Sequence, residues 1–347
     1  MTDLSHTQLT LPAENPRPRL GLLGLYVAGV MLLGLWTVIS PQVPTGYVSL
    51  APGPSPDAEK LTKIDARTYS SQGSFHITTA LVSSGAVSLS EFVHDSFQDD
   101  ITLVDKTLVY PPSLTAKQAE QQHAAEMTQS QQSAAIAALK ELGLPVASDG
   151  ALINDISRKG SEPADLKAGD IVKAIDSHPV LKAADIRDVL RSKQAGDVVQ
   201  VQLDRGGMTR TVSVKTITIK SAPGQARLGI LTSNDLQLPF KISIDAQQIG
   251  GPSAGLVFAV SIYDLLEPSD LTGGKVIAGT GTIDDEGKVG PIGAVEQKIK
   301  GAEKINAKVF LVPRDELQRA KAALKTDMVL IPIDTLHQAI AELRKLR

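Results

Sequence analysis

Two short segments of the chain pair a serine with a lysine in settings suited to acyl-transfer chemistry. Residues 251–255 have the sequence Gly-Pro-Ser-Ala-Gly and place Ser253 on a tight turn just ahead of an apolar run. Residues 290–298 have the sequence Gly-Pro-Ile-Gly-Ala-Val-Glu-Gln-Lys and place Lys298 one turn into a second predicted helix. A serine hydroxyl becomes a nucleophile when a base removes its proton, and a lysine is such a base only when neutral.

The turn around Ser253 supplies a physical reason for such activation. Pro252 suits the first helical position, because its missing N–H would have no intrahelical partner there. Ser253 is then expected at a helix N-terminus, where free N–H groups and the helix dipole favour an oxyanion and disfavour a protonated lysine. Burial is expected to lower the lysine pKa as well. Gly251, Pro252 and Ala254 are accordingly predicted to form the turn that provides oxyanion donors.

Together these segments resemble the proteolytic domain of the Lon peptidases, which use a Ser–Lys dyad. The resemblance covers roughly residues 236–313. It includes a strand predicted by alternation at 240–244, the sequence Ala-Gly-Thr-Gly at 278–281 and a strand at 308–313. The resemblance implies an α/β fold and peptide-bond hydrolysis.

On this resemblance Ser253 is the nucleophile, Lys298 is the general base, and Thr280 hydrogen-bonds the lysine and orients it. One position departs from the family. Lon proteins have an acidic residue just before Gly-Pro-Ser, whereas this chain has Gly250. Any contribution of that carboxylate is therefore absent or comes from elsewhere.

Other residues compete for the role of base. Lys288 lies in a turn-like segment and is expected to face solvent, and Lys300 lies two residues from Lys298, on a different helix face. The Gly-x-Ser-x-Gly pattern also fits the nucleophile elbow of α/β-hydrolases, in which the base is a histidine. Since His337 is the only histidine after the serine, an esterase using Ser253 and His337 is the competing hypothesis.

The composition excludes several other chemistries. A net charge of −3 and an aromatic content of 3% give no reason to expect nucleic-acid binding. The absence of cysteine excludes disulfides, thiol catalysis and cysteine metal sites. The sequence contains neither His-Glu-x-x-His nor Gly-x-x-x-x-Gly-Lys-Ser/Thr. We therefore expect no metal, no cofactor and no requirement for ATP.

An uncharged apolar run occupies residues 20–39, long enough for a membrane span. Arg17 and Arg19 precede it, so the positive-inside rule predicts a cytoplasmic tail at 1–19, a signal anchor at 20–40 and extracytoplasmic domains thereafter. The alternative is a cleaved signal peptide. It is disfavoured because the run is long for a signal and residues 37–41 do not form a small-residue cleavage site.

The next segment, 41–141, is predicted to hold a linker and the N-terminal part of the proteolytic domain. Residues 41–58 are rich in Pro, Gly and Ser, as is typical of linkers, and residues 74–82 alternate like a strand. Thr115 and Gln118 form a plausible capping box for a long Ala/Gln-rich helix. The strand and the helix resemble the first hairpin and the pre-catalytic helix of Lon-like domains, which implies a split domain.

Residues 142–220, inserted between the two parts, resemble a PDZ domain. Residues 166–172 match the Leu-x-x-Gly-Asp-x-Ile/Val motif of bacterial PDZ domains, and residues 161–166 resemble their Ser-Pro-Ala turn. Leu142-Gly143-Leu144 is placed like a carboxylate-binding loop, although Gly143 is equally suited to be a helix C-cap. PDZ domains bind chain ends or extended segments by adding a strand to a sheet edge.

The resulting prediction is an N-terminal transmembrane helix followed by an α/β Lon-type proteolytic domain, which a mostly β PDZ domain splits and which ends with a catalytic part at 221–347. The predicted function is an ATP-independent, membrane-anchored serine endopeptidase whose PDZ domain captures protein or peptide substrates. Lon-type domains often form hexameric rings, so a homo-oligomer is a further expectation. Besides the esterase, the alternative is a non-catalytic membrane-tethered PDZ scaffold.

Overall fold

The computed structural model describes residues 21–110, 116–156, 165–219, 222–246 and 249–346. Its helices are α1 (Gly21–Ile39), α2 (Ala58–Leu61), α3 (Leu89–Ser96), α4 (Lys106–Val109), α5 (Ala116–Glu141), α6 (Ala183–Leu190), α7 (Gly255–Leu266), α8 (Val295–Lys304), α9 (Leu317–Ala323) and α10 (Leu336–Arg344). Its strands are β1 (Tyr47–Pro52), β2 (Thr62–Ile64), β3 (Ser74–Ile77), β4 (Ala80–Val82), β5 (Thr102–Asp105), β6 (Ala147–Ile156), β7 (Ile171–Ile175), β8 (His178–Pro179), β9 (Val198–Arg205), β10 (Met208–Lys215), β11 (Ile217–Ile219), β12 (Ala222–Arg227), β13 (Ile230–Gln237), β14 (Ile242–Ile244), β15 (Val276–Gly279), β16 (Thr282–Ile283), β17 (Val289–Gly290), β18 (Val309–Pro313) and β19 (Val329–Ile333).

Three predicted features lie outside the described residues. They are the N-terminal tail with Arg17 and Arg19, the helix cap at Thr115, and most of the Ser-Pro-Ala turn at 161–164.

The described chain forms two compact units and passes between them within β1 and within β4. The first unit comprises residues 21–50 and 82–110. It contains α1, which is long and apolar enough to cross a membrane, a test that a signal sequence near the N-terminus also passes.

The predicted linker at 41–58 contains a strand. In the first unit β1 pairs antiparallel with β5, from Tyr47 opposite Asp105 to Leu50 opposite Thr102, and Val48 is fully buried. The linker prediction is therefore wrong for this part. The Pro and Gly residues flank a short alternating segment, and pairing with a strand far along the chain outweighs the local composition.

The second unit, residues 51–81 and 116–346, contains three hydrophobic cores, which lie around two large sheets. The first sheet has the strand order β10-β9-β7-β6-β13, with β8 on β7. Apolar side chains from its strands and from α6 form one core.

A buried ion pair links the Gly169-Asp170 motif to the end of β9 in this first sheet. Gly169 adopts a φ of 91°, which suits glycine. Asp170, 1% exposed, accepts hydrogen bonds from Arg205 at 2.6 and 2.8 Å and from the Lys167 N–H at 2.7 Å. The motif thus fixes the turn before β7 and ties it to the end of β9.

The second sheet is parallel, with the order β19-β18-β15-β3. Strand β3, from the N-terminal half of the chain, pairs with β15 from Ser74 opposite Val276 to Ile77 opposite Gly279. Helix α7 is buried from Gly255 to Asp264 and packs against α5, α2 and α10. This arrangement brings the end of β15 and the start of α7 together, where the candidate site lies.

Candidate active site

Ser253 lies on a short 3₁₀ turn, Pro252–Ala254, that leads directly into α7. The preceding Gly251 has a φ of 79° and a ψ of 160°, a conformation that glycine adopts without strain. A Cβ on Gly255 would lie 2.7 Å from Ser130 Oγ and 2.9 Å from Ile283 Cγ2. Glycine is therefore favoured at position 251 by the backbone conformation and at position 255 by the lack of space for a side chain.

Lys298 reaches this turn from α8. The helix starts after Ala294, whose left-handed conformation, φ 56° and ψ 43°, costs an alanine roughly 1 kcal/mol and turns the chain into the helix. Lys298 is only 4% exposed. Its Nζ lies 2.8 Å from Ser253 Oγ and 3.0 Å from Thr280 Oγ1. The two predicted segments thus meet at their reactive side chains.

Thr280 connects the lysine to the serine backbone. Its hydroxyl donates to the Ser253 carbonyl oxygen at 3.1 Å, and that carbonyl also accepts from the Gly281 N–H at 2.8 Å. A hydroxyl has one proton to donate, so Thr280 must accept from Lys298. A neutral Lys298 amine, with one proton directed at Thr280, then has its lone pair available for the Ser253 hydroxyl.

The surroundings of Lys298 favour the neutral amine. Burial lowers its pKa from 10.5 to about 8, and the charge of Glu316 acts in the opposite direction. Glu316, itself 8% exposed, accepts a hydrogen bond from Arg319 at 3.0 Å. Desolvation therefore outweighs the nearby carboxylate, so that about a tenth of Lys298 is neutral at pH 7 and about half at pH 8.

Two backbone N–H groups just after Ser253 already donate hydrogen bonds within the protein. The Gly255 N–H donates to the Pro252 carbonyl, and the Leu256 N–H donates to Gly281 O at 3.0 Å. Pro252 has no N–H. Of the predicted turn residues, Gly251 sets the direction of the chain into the turn, and Ala254 follows Ser253 as the last residue of the 3₁₀ turn.

The competing bases lie elsewhere. Lys288 is exposed, and Lys300 is half-buried on α8. His337 is exposed and its Nδ1 lies 2.7 Å from Glu141 Oε1. In the part of the chain that the structure describes, Lys298 is therefore the base in contact with Ser253 Oγ.

Two residues near the site have no counterpart in the predictions. Ser130 of α5 is 3% exposed and donates to the Pro252 carbonyl at 2.9 Å, which fixes the turn from behind. Glu316, discussed above, acts on Lys298 by charge alone. No local pattern identifies either residue, because each lies far along the chain from the groups on which it acts.

The predicted carboxylate-binding loop of the PDZ domain forms the end of α5. The N–H groups of Leu142, Gly143 and Leu144 donate to the carbonyls of Ala138, Lys140 and Leu139. Gly143 has a φ of 69°, as expected for a helix C-cap. Since these N–H groups have partners within the helix end, the geometry favours the C-cap alternative.

Comparison with known proteins places both domains. A family model of the Lon protease (S16) C-terminal proteolytic domain matches residues 225–345, and a PDZ-domain model matches residues 129–216. The PDZ domains of SdrC-like proteins from Listeria monocytogenes and Listeria innocua are 22% and 27% identical. Their TM-scores are 0.22 and 0.21, and they cover 26% and 24% of this chain and 93% of each solved chain.

Longer relatives point to the same family. The Lon protease of Campylobacter concisus is 36% identical over 94 residues, which are 26% of this chain and 11% of that protein. The Lon protease of Campylobacter jejuni is 27% identical over 173 residues, 42% of this chain and 22% of that protein. The chain thus spans about a fifth or less of these relatives. It combines a PDZ domain with a proteolytic domain of the Lon (S16) type.

Proposed function

We propose that this protein is a serine endopeptidase in which Ser253 is the nucleophile and Lys298 the general base. The observation that supports this most strongly is the 2.8 Å contact between Lys298 Nζ and Ser253 Oγ, made by a lysine that is 4% exposed. Burial lowers the pKa of this lysine to about 8, so its neutral fraction near pH 7 is far larger than that of a surface lysine.

The catalytic cycle follows from these contacts. Lys298 takes the proton from Ser253 as Oγ attacks the carbonyl carbon of the peptide bond, and backbone N–H groups of the turn that carries Ser253 stabilise the oxyanion. Protonated Lys298 then gives its proton to the leaving amine, and an acyl-enzyme forms. Water, activated by the same amine, hydrolyses the ester and restores Ser253. Thr280 holds the amine between these positions.

The proposal also covers the domain organisation, the location and the assembly of the protein. The PDZ domain is inserted into the proteolytic domain, which is supported by the pairing of β3 with β15 and the packing of α5 against α7. The protein is anchored by α1, with its domains on the extracytoplasmic side, and works without ATP on protein substrates there. We also expect it to form a homo-oligomer, which light scattering of the detergent-solubilised chain would measure.

The decisive experiment measures cleavage of a proteome-derived peptide library by mass spectrometry. The purified chain is expected to cleave it equally with and without Mg-ATP, and Ser253→Ala and Lys298→Ala are expected to be inactive. Lys288→Ala serves as the matched lysine control, and His337→Ala tests the esterase hypothesis. An active Lys298→Ala or an inactive His337→Ala would refute the dyad.

Topology is tested separately on spheroplasts. External protease is expected to remove the C-terminal domains while a tag at the N-terminus stays protected. Full protection of the C-terminal domains in intact spheroplasts would contradict the proposed orientation.

A further inference from the structure

The edge strand of the PDZ sheet comes from outside the matched PDZ sequence. The PDZ family model ends at residue 216, and the Lon model begins at residue 225. Strand β13, Ile230–Gln237, therefore belongs in sequence to the proteolytic match. Yet it is hydrogen-bonded to β6, at the end of the sheet order β10-β9-β7-β6-β13.

Strand β13 covers β6 along its whole length. The pairing is antiparallel and runs from Ile230 opposite Ile156 to Gln237 opposite Ala147. The other edge of β6 pairs with β7, through Ala151 and Leu152. Because PDZ domains recruit an extended segment by adding it to a sheet edge, β13 occupies the kind of position that a bound peptide takes.

Helix α6 flanks this strand as well. It packs against both β6 and β13, and Ile230 packs against the PDZ core. At the helix start the Ala183 N–H donates to Asn234 Oδ1 at 2.9 Å. Backbone pairing with β6 and a side-chain contact with α6 together describe a segment held in a groove between a strand and a helix.

The same asparagine reaches the proteolytic domain. Asn234 Nδ2 donates to Asp285 Oδ2 at 3.1 Å. Asp285 lies in the loop between β16 and β17, and its other carboxylate oxygen accepts from Ser133 of α5 at 2.6 Å. One amide thus links α6 of the PDZ domain to a loop that follows Thr280 along the chain.

We infer that residues 230–237 are an internal ligand of the PDZ domain, filling the groove between β6 and α6. An extended peptide that binds this domain therefore has to displace β13, and it breaks the bond between Asn234 and Asp285 when it does. The partner is an extended segment that pairs antiparallel with β6 and offers a side-chain acceptor to the N-terminus of α6. The inference rests on the fold and not on the proposed peptidase activity.

The test measures binding of a fluorescein-labelled peptide with the sequence of residues 228–239 to the full-length chain, by fluorescence anisotropy. All proteins carry Ser253→Ala, so that the probe is not cleaved. Asn234→Ala removes the side-chain hydrogen bonds of Asn234 to Ala183 and Asp285, and the variant is expected to bind the probe about tenfold more tightly than the parent. Gln237→Ala, which removes an exposed amide from the same strand, is the matched control and is expected to bind like the parent.

A reversible disulfide between β6 and β13 tests whether the peptide has to displace β13. Leu152 and Ser233 lie directly opposite each other, and directly paired residues have Cα separations that a disulfide spans. Since the chain has no cysteine, Leu152→Cys with Ser233→Cys forms one defined bridge. The oxidised protein is expected to bind no probe, and reduction is expected to restore binding.

Two results would overturn the inference. One is equal probe binding by the oxidised and reduced forms, which would show that the peptide uses another surface. The other is the absence of tighter binding in Asn234→Ala, including binding to no form at all, with circular dichroism showing the variant folded. In that case the groove does not accept the segment in trans, and β13 is simply a structural strand of the sheet.

Discussion

The PDZ domain and the proteolytic domain each bury an ionisable side chain, and they surround it in opposite ways. Asp170 in the PDZ domain lies 2.6 Å from the Arg205 guanidinium and accepts a backbone N–H besides. Lys298 in the proteolytic domain contacts two neutral hydroxyls, those of Ser253 and Thr280. The first group is fully neutralised by its partners, and the second is not.

The pKa shifts follow from this difference. Burial raises the pKa of Asp170, but the hydrogen bonds and charge of Arg205 and the Lys167 N–H outweigh it, and the net shift is downward. For Lys298, burial lowers the pKa to about 8, and the opposing charge of Glu316 is too weak to restore it. A buried charge with a partner thus stays ionised, whereas a buried amine without one loses its proton more easily, as a general base must.

The largest expected effect is on activity at Lys298. Both Lys298→Met and Lys298→Arg should reduce kcat/KM by about 1,000-fold or more, since removing one member of a nucleophile–base unit disables the unit. The arginine variant keeps a positive charge but stays protonated at any usable pH. Peptide hydrolysis, measured from initial rates, tests this. Substantial activity in Lys298→Arg would show that charge suffices and that the general-base role is wrong.

Although Lys298→Met should abolish activity, it should make the folded protein more stable. Holding the protonated amine in this site costs roughly 3 kcal/mol, as the pKa lowering from 10.5 to about 8 indicates. The wild-type protein is therefore penalised fully below pH 8 and progressively less as the pH rises toward 10.5. Lys298→Met should have the higher Tm at pH 7, and the difference should narrow above pH 8. A lower Tm for Lys298→Met at pH 7 would contradict this account.

In the PDZ domain the expected effect is on stability. Asp170→Ala removes the buried acceptor of the Lys167 N–H and leaves Arg205 only its contacts with Asp165, so it should destabilise the domain by about 3 kcal/mol. Hydrogen exchange followed by mass spectrometry would report this in β6, β7 and β9. Asp188→Ala is the matched control: it breaks an exposed pair with Arg191 and should change stability by less than about 0.5 kcal/mol.

A smaller effect is expected at Thr280, which contacts Lys298 Nζ at 3.0 Å and which we propose to orient the lysine. Thr280→Val preserves the shape but removes the acceptor for Lys298, and should lower kcat about 10- to 100-fold with little change in KM. Thr280→Ser keeps the hydroxyl and should retain most activity. If both variants behave alike, the hydroxyl does not orient the amine.

The smallest effect is expected at Glu316, whose charge opposes the lowering of the Lys298 pKa. The wild-type kcat/KM should rise with pH along one basic limb, with an apparent pKa of about 8. Glu316→Gln removes a charge that raises the pKa of Lys298 and should move this limb to lower pH by about half a unit. Glu296→Gln, which removes the other carboxylate bound by Arg319, is the control. A shift to higher pH in Glu316→Gln would contradict the sign of this effect.

Local sequence signals predicted much of the architecture. The strand at 308–313, predicted from the family resemblance, and the Ala/Gln-rich helix before 142 correspond to β18 and α5. The predicted strand at 74–82 is interrupted, because β3 ends at Ile77 and β4 begins at Ala80. Pairing of β3 with a strand about two hundred residues away cannot be read from a local pattern, since it depends on long-range packing.

The sequence alone determined which side chains are the candidates for catalysis: a serine and a lysine, each after a Gly/Pro turn, and a threonine between them in the chain. Only the tertiary structure decided that they meet within 2.8 to 3.1 Å, that Ser130 and Glu316 lie beside them, and that β13 completes the PDZ sheet. The physical reason is that residue type and turn geometry are local, whereas burial, pKa and the partner of a strand depend on segments far apart in the chain.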